Sequence, residues 1–132
     1  MFILSDDQRA FQARTRDLAQ SVIAPRAADI DRSEQYPWDN VAALQEAGFT
    51  GITVPRDLGG QGRSFVDCVL LIVEMGKVCG VTGRIAVECN MGAISAVMAY
   101  GNAAQRKMAA ACVLGGDKPA ICITEPNAGS AA

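Results

Sequence analysis

The chain has 132 residues, of which 50% are hydrophobic and 20% charged, and its formal net charge is −2 at pH 7. These values are typical of one globular domain and exclude intrinsic disorder, and the interspersed charges give no basic footprint for nucleic acid. Because the sequence contains no histidine, a histidine base and a histidine-ligated metal are excluded within it.

Two further features concern the cellular environment. Five widely spaced cysteines without a C-x-x-C pair predict reduced, buried thiols: Cys68, Cys79, Cys89, Cys112 and Cys122. The N-terminus turns acidic after a short apolar stretch, unlike a signal peptide, and the longest apolar run, residues 69–73, is too short to cross a membrane. We therefore expect a cytoplasmic protein with no nucleic-acid or membrane partner.

The first half of the chain predicts two helices and a loop. Ser5 and Gln8 have the spacing of a capping box, so a helix should begin there and end or kink at Pro25, with a further turn or two up to residue 31. A second helix is predicted from Pro37 to Gly48. Residues 49–54 are then predicted to be an extended connector, and the glycine-rich residues 56–62 a loop.

The second half predicts three more helices and a strand. A helix opening at Ser64 should end among the glycines of residues 76–83, and its apolar residues on most sides predict a position in the middle of a bundle. A fourth helix should run from residue 84 or 85 to Tyr100, and a fifth should follow Asn102 and stop at residues 115–116.

The predicted fold is an all-α helical bundle of about five helices over residues 1–118. Residues 119–132 would begin a β-rich domain with its first β-strand at residues 120–124. After that strand, Pro126 holds Glu125 extended, and residues 127–130 bring a hydroxyl and unhindered N–H groups together. Such a loop suits a bound cofactor or phosphate, but a tight turn between strands explains it equally well.

Two motifs resemble those of one known family. Residues 121–130, ICITEPNAGS, resemble the flavin-binding signature T-E-P-x-A-G-S of the acyl-CoA dehydrogenase family, and residues 54–62, VPRDLGGQG, are similar to its P-x-x-Y/L-G-G-x-G loop. The resemblance implies an N-terminal helical domain, a middle β domain and a C-terminal helical domain in a homodimer or homotetramer. This chain would be a fragment of such a protein, truncated at the start of the middle domain.

The resemblance also implies a cofactor site. FAD would receive hydride from an acyl-CoA thioester and pass electrons to an electron-transfer flavoprotein or a similar acceptor. The cofactor-binding positions would be Ile121, Cys122, Ile123, Thr124, Gly129 and Ser130, with Ser130 also available to the CoA. In the family an aspartate follows the serine of the flavin signature, whereas Ala131 follows Ser130 in this chain. The family's glutamate base lies in the C-terminal domain. We therefore assign no catalytic residue and expect the fragment alone to be inactive.

The same resemblance places the fourth helix at the far end of the acyl pocket, where Arg84, Glu88 and Met91 share one face. An exposed i,i+4 ion pair is one interpretation of Arg84 and Glu88. The other is that Arg84 binds the carboxylate or sulfinate of a short acidic acyl group, since a long apolar chain would disfavour a buried guanidinium.

The resemblance favours one function and leaves two alternatives open. The first is FAD-dependent α,β-oxidation of a short, acidic acyl-CoA. The second is desulfination of 3-sulfinopropionyl-CoA, which needs no α-proton base and consumes no electron acceptor. The third is a helical interaction module without catalysis. As an isolated piece, the chain should expose apolar surface and self-associate.

Overall fold

A computed structural model describes residues 3–122, 124 and 126 of the chain. That part contains seven α-helices: α1 (Asp6–Leu18), α2 (Ala24–Ser33), α3 (Trp38–Glu46), α4 (Phe65–Val78), α5 (Gly80–Asn90), α6 (Ala93–Tyr100) and α7 (Ala103–Leu114). A π-turn, Ala19–Ile23, joins α1 to α2, and a 3-10 turn, Arg56–Leu58, precedes α4. The predicted helical bundle is confirmed. Among the described residues, no helix has the length and apolar character needed to span a bilayer.

The predicted helix starts at Ser5, Ser64 and Asn102 are all confirmed as capping boxes. The Ser5 hydroxyl accepts a hydrogen bond from the Gln8 N–H at 3.2 Å, and the Gln8 side chain accepts one from the Ser5 N–H at 3.0 Å. Each box therefore satisfies backbone donors that would otherwise have no partner at the helix end, which is why a local pattern locates these starts.

Pro25 does not end the first helical segment. The backbone widens into the π-turn just before it, and α2 then continues to Ser33, further than the predicted turn or two. Pro25 lies in the first turn of α2, where the missing N–H and the fixed φ of proline are tolerated. The π-turn thus takes the place of the predicted end or kink.

The predicted fourth helix, residue 84 to Tyr100, is two helices. Met91 is extended and Gly92 has φ +60° and ψ −122°, a conformation that favours glycine, so α5 and α6 are separated there. In addition, α5 begins at Gly80 and includes Gly83, where a Cβ would lie 2.9 Å from the Gly76 Cα. The glycines expected to end a helix instead allow α4 and α5 to cross at close range.

The connector at residues 49–54 turns instead of extending. It is held by the buried Asn90 amide, whose Oδ1 accepts from the Ile52 N–H at 2.8 Å and whose Nδ2 donates to the Phe49 carbonyl at 2.9 Å. The glycine-rich loop packs directly on this turn, because a Cβ at Gly60 would lie 2.1 Å from the Val54 carbonyl oxygen. The backbone forms a hydrogen-bonded turn where the β-branched residues predicted an extended one.

The main core lies between α1, α3, α4, α5 and the π-turn, and a smaller cluster joins α6 and α7 through Ile94, Ala110 and Val113. Helix α4 packs on α1, α5 and the π-turn, but one of its faces is open. Phe65, Val69 and Val73 are 55%, 49% and 42% exposed. The prediction of a helix buried in the middle of a bundle is therefore wrong for this face of α4.

The described residues contain no β-strand. Residues 121, 122 and 124 of the predicted strand lack regular structure, and residue 123 lies outside the described part. A strand requires a partner for its ladder of hydrogen bonds. The first β-strand and the domain boundary after residue 118 therefore stay predictions.

Candidate functional site

The exposed face of α5 carries the predicted charged pair. The Arg84 Nε donates to the Glu88 Oε1 at 2.9 Å, one helical turn away. Arg84 is 72% and Glu88 32% exposed at the side chain. Within the described residues, the two terminal nitrogens of Arg84 have no hydrogen-bond acceptor. The outer edge of the guanidinium is thus free to bind a planar anion through two parallel hydrogen bonds.

Met91 does not share that face. It lies beyond the end of α5 in an extended conformation, with φ −135° and ψ −165°. Its side chain is partly buried and packs against the main core. The structure therefore brings Arg84 and Glu88 together, while Met91 packs against the main core instead.

The segment after α7 returns to the C-terminal end of α5. Ile121 lies so near Gly92 that a Cβ on this glycine would be 3.1 Å from the Ile121 Cδ1. Ile121 is nevertheless 56% exposed, and Cys122 and Thr124 are exposed as well. Apolar surface of Ile121 is thus open beside the end of α5. Positions 123, 129 and 130 lie outside the described residues, so their predicted flavin contacts stay predictions.

The segment after α7 also carries Lys118, which contacts an aromatic pair formed by Tyr36 and Trp38. The Lys118 Nζ is 4.4 Å from the Tyr36 ring centre and 4.2 Å from the Trp38 ring centre, and the two rings are 4.8 Å apart. Burial raises the pKa of Tyr36, and the Lys118 ammonium opposes that rise. The sequence analysis missed Lys118, because only long-range packing brings it to the aromatic pair.

The cysteines are all free thiols. Burial raises the pKa of Cys68 to about 12 and that of Cys89 to about 11, so both stay protonated at neutral pH and are poor nucleophiles. Cys112 and Cys122 are exposed. The prediction of buried thiols is therefore confirmed for Cys68, Cys79 and Cys89 and wrong for the other two.

A second Arg–Glu cluster is closed. Glu74 on α4 is 2% exposed and accepts hydrogen bonds from the Gln12 Nε2 at 2.8 Å, the Arg16 Nε at 3.2 Å and the Lys77 Nζ at 3.0 Å. The Arg16 hydrogen bond, helped by the other two donors, lowers the pKa of Glu74 to about 2. A carboxylate with its partners already in place stabilises the fold and leaves no room for a ligand.

Backbone amides of the glycine-rich loop, residues 56–62, already have hydrogen-bond acceptors within the fold. Its amides at Gly59, Gly60 and Gly62 donate to the carbonyls of Arg56, Pro55 and Val54 at 2.9 to 3.1 Å. They are therefore unavailable to a phosphate, and residues 56–62 form a structural loop. In the part of the chain that the structure covers, no group of three or more cysteine, aspartate or glutamate side chains could hold a metal ion.

The described fold is an all-α helical bundle with an exposed charged pair on α5, followed by an exposed segment without regular structure. The chain belongs to the acyl-CoA dehydrogenase family, because residues 5–116 match the family described as "Acyl-CoA dehydrogenase, N-terminal domain". The family resemblance drawn from the two motifs is confirmed.

Known proteins place the chain within that family. It is 58% identical over 132 residues to a 3-sulfinopropanoyl-CoA desulfinase of Cupriavidus necator, covering 100% of this chain and 33% of that protein. It is 31% identical over 130 residues to a short-chain specific acyl-CoA dehydrogenase of Clostridium acetobutylicum, covering 98% of this chain and 34% of that one. A structure described as an electron transferring flavoprotein of Acidaminococcus fermentans matches with a TM-score of 0.89 and 26% identity, over 98% of this chain and 34% of that chain. The chain thus spans about a third of the length of these relatives.

Proposed function

We propose that this chain is the N-terminal part of an enzyme that releases sulfite from 3-sulfinopropanoyl-CoA, and that Arg84 binds the sulfinate. The observation that carries the proposal is the free outer edge of the Arg84 guanidinium on α5. The 58% identity to a protein of that name supports it. The full-length protein would be a cytoplasmic homodimer or homotetramer.

The chemistry of Arg84 favours an acidic acyl end. A sulfinate or carboxylate matches the planar fork of the guanidinium, whereas an apolar acyl chain would leave the charge unpaired once the pocket is covered. Glu88 is a positioning residue in this proposal, because its hydrogen bond to Nε fixes the direction in which the two terminal nitrogens point. Met91 would contribute the apolar wall behind the acyl group.

The proposed cofactor is FAD, which supplies a planar redox-active ring when bound. Ile121, Cys122, Ile123 and Thr124 would lie along that ring, with the Thr124 hydroxyl as a donor. Gly129 and Ser130 would contact the pyrophosphate, and Ser130 could also reach the CoA of the substrate. None of these residues is a base, so this chain's share is binding and orientation, and we expect it to be inactive alone.

The atoms and charges of the desulfination reaction balance without an electron acceptor. The carbon–sulfur bond breaks, a proton takes the place of sulfur on the carbon, and the released sulfur dioxide adds water to give hydrogen sulfite. The flavin signature favours a second candidate, α,β-dehydrogenation of a short acyl-CoA. There a proton and a hydride leave the substrate, and an electron-transfer flavoprotein or similar acceptor must take the electrons.

The test uses the full-length protein with 3-sulfinopropanoyl-CoA, and measures sulfite release and acceptor reduction in parallel. We expect sulfite without acceptor reduction. Acceptor reduction without sulfite would instead establish the dehydrogenase, and the absence of both reactions would favour a non-catalytic module.

The role of Arg84 is tested by Arg84→Gln. Loss of a charged, bidentate contact should lower kcat/KM for the sulfinate substrate about 100-fold. The affinity for butyryl-CoA should hardly change, because butyryl-CoA lacks the anion. Arg32→Gln is the matched control, since Arg32 is an exposed arginine paired with Asp29 on α2. An equal loss with both thioesters would contradict the assignment.

A further inference from the structure

We infer that Lys118 is a positioning residue, which anchors the segment after α7 to the start of α3 through the rings of Tyr36 and Trp38. The segment, residues 115–122, begins with a turn, and residues 117–122 have no regular structure. It leads into the positions proposed to lie along the FAD ring, so the consequence of this anchor for the cofactor rests on the proposed function. The anchor itself rests on the described contacts.

Two close approaches mark the ends of the segment. The backbone at Gly116, where φ is +94°, passes so near α3 that a Cβ there would lie 2.8 Å from the Gln45 Oε1. The Ile121 side chain reaches the break between α5 and α6 at Gly92. Because Ile121 is still 56% exposed, its burial contributes little to holding the segment on the bundle. An attraction between these two points is needed to hold it.

Lys118 supplies this attraction. Its ammonium lies 4.4 Å from the Tyr36 ring centre and 4.2 Å from the Trp38 ring centre, and Trp38 is the first residue of α3. Lys118 is half-buried, and none of the ion pairs among the described residues involves it. Each ring face attracts the cation, and the lysine stem covers apolar ring surface. The two rings therefore hold Lys118, and with it the middle of the segment, against the start of α3.

The anchor limits where the proposed cofactor positions can lie. Ile121 follows Lys118 by three residues and Thr124 follows it by six, so an extended chain reaches about 10 Å and about 20 Å from the anchor. With Lys118 held on α3, the chain leaves the bundle from one fixed point. Without it, the segment would start from a range of positions, and fewer molecules would make the proposed flavin contacts at any moment.

The experiment compares Lys118→Met and Lys118→Arg in the full-length protein. Methionine keeps an apolar stem against the rings and removes the charge, while arginine keeps both. Hydrogen exchange followed by mass spectrometry measures the amides of residues 115–117, which donate to carbonyls of α7 at 2.9 to 3.1 Å. We expect these amides to exchange about tenfold faster in Lys118→Met and close to the wild-type rate in Lys118→Arg. Lys107→Met on α7 is the matched control, since Lys107 is exposed.

A second readout separates positioning from a general loss of stability. The rate at which the loaded protein releases FAD, followed by flavin fluorescence, should rise about tenfold in Lys118→Met and return toward the wild-type rate in Lys118→Arg. The urea midpoint of unfolding should stay the same in all variants, because the helical core does not depend on this contact.

Two results would overturn the inference. Unchanged exchange at residues 115–117 in Lys118→Met would mean that the segment is held without the lysine. Faster exchange with unchanged FAD release would mean that the anchor does not position the cofactor segment. In both cases sulfite release by the wild-type enzyme would leave the proposed function standing. If the wild-type enzyme released no sulfite but Lys118→Met still exchanged faster, the proposed function would fail and the anchor would stand.

Discussion

The two arginine–glutamate clusters of this domain differ in how much of their hydrogen-bonding capacity is used. Between α1 and α4, Glu74 is 2% exposed and receives donors from three side chains. On α5, Glu88 is 32% exposed and receives one donor, and most of the Arg84 fork is free. The same pair of residue types therefore holds two helices together in one place and leaves binding capacity in the other.

The two clusters differ in their number of partners because of where the fold places them, since the residue types are the same. Glu74 faces a neighbouring helix that brings Gln12 and Arg16 to it, so desolvation is compensated by close partners. Arg84 and Glu88 are on the same helix, and among the residues that the structure describes each forms a side-chain hydrogen bond only with the other. A closed cluster contributes stability, and an open one can contribute recognition. Three substitutions test this contrast, beginning with the largest expected effect.

Asn90→Ala, at a buried polar group outside both clusters, should give the largest loss of unfolding free energy. The buried amide bridges the Ile52 N–H and the carbonyls of Phe49 and Ala86 at 2.8 to 3.0 Å. Its removal leaves the Ile52 N–H and the Phe49 carbonyl unpaired and should cost about 3 kcal/mol of unfolding free energy. Urea titration followed by circular dichroism measures the loss. Asn102→Ala, which removes an exposed helix cap, is the control and should cost about 1 kcal/mol. Equal losses would mean that burial of the amide adds nothing.

Glu74→Gln should cost about 2 kcal/mol, because it leaves Arg16 and Lys77 without their shared anion. It should also change the pH dependence. The folded pKa of Glu74 is about 2, below its ordinary 4.5, so its contribution is complete above pH 4.5 and is lost as the pH falls toward 2. Unfolding free energies of both proteins across that range measure the effect. Parallel curves for wild type and Glu74→Gln would contradict this assignment.

Glu88→Gln is the matched change on the open side. Here we expect a change in unfolding free energy below about 0.5 kcal/mol, as for other exposed helical pairs. In the full-length enzyme, KM for 3-sulfinopropanoyl-CoA should rise about threefold to tenfold, since the substitution weakens the hydrogen bond that orients Arg84. The two measurements together separate a stabilising from a positioning role. A loss of stability as large as that of Glu74→Gln would remove the distinction between the clusters.

Much of the fold could be predicted from local patterns. Capping boxes at Ser5, Ser64 and Asn102 locate helix starts because both partners lie within one turn of the chain. The predicted helix boundaries were wrong where a glycine serves the packing of two helices and does not end a helix. Gly83 permits the close crossing with α4, and this contact cannot be seen in the sequence around either residue.

The candidate site on α5 could also be predicted only where local helix geometry determines it. Arg84 and Glu88 are four residues apart, so their pairing follows from helical geometry alone. Met91 was misplaced, because the prediction extended the helix through the break at Gly92. Lys118 was not found, because its partners Tyr36 and Trp38 lie about eighty residues away along the chain and no local pattern connects them.

The contact between Lys118 and Trp38 also gives the domain a built-in optical reporter. Trp38 is the single tryptophan of this chain, it is 62% exposed, and a positive charge lies 4.2 Å from its ring centre. Indole emission responds to nearby charge and to water. Binding of an anion that draws the ammonium away from the ring should therefore change the emission of Trp38, and a Trp38→Phe variant identifies its share of the signal. The packing of the segment after α7 against α3 could then be followed by fluorescence.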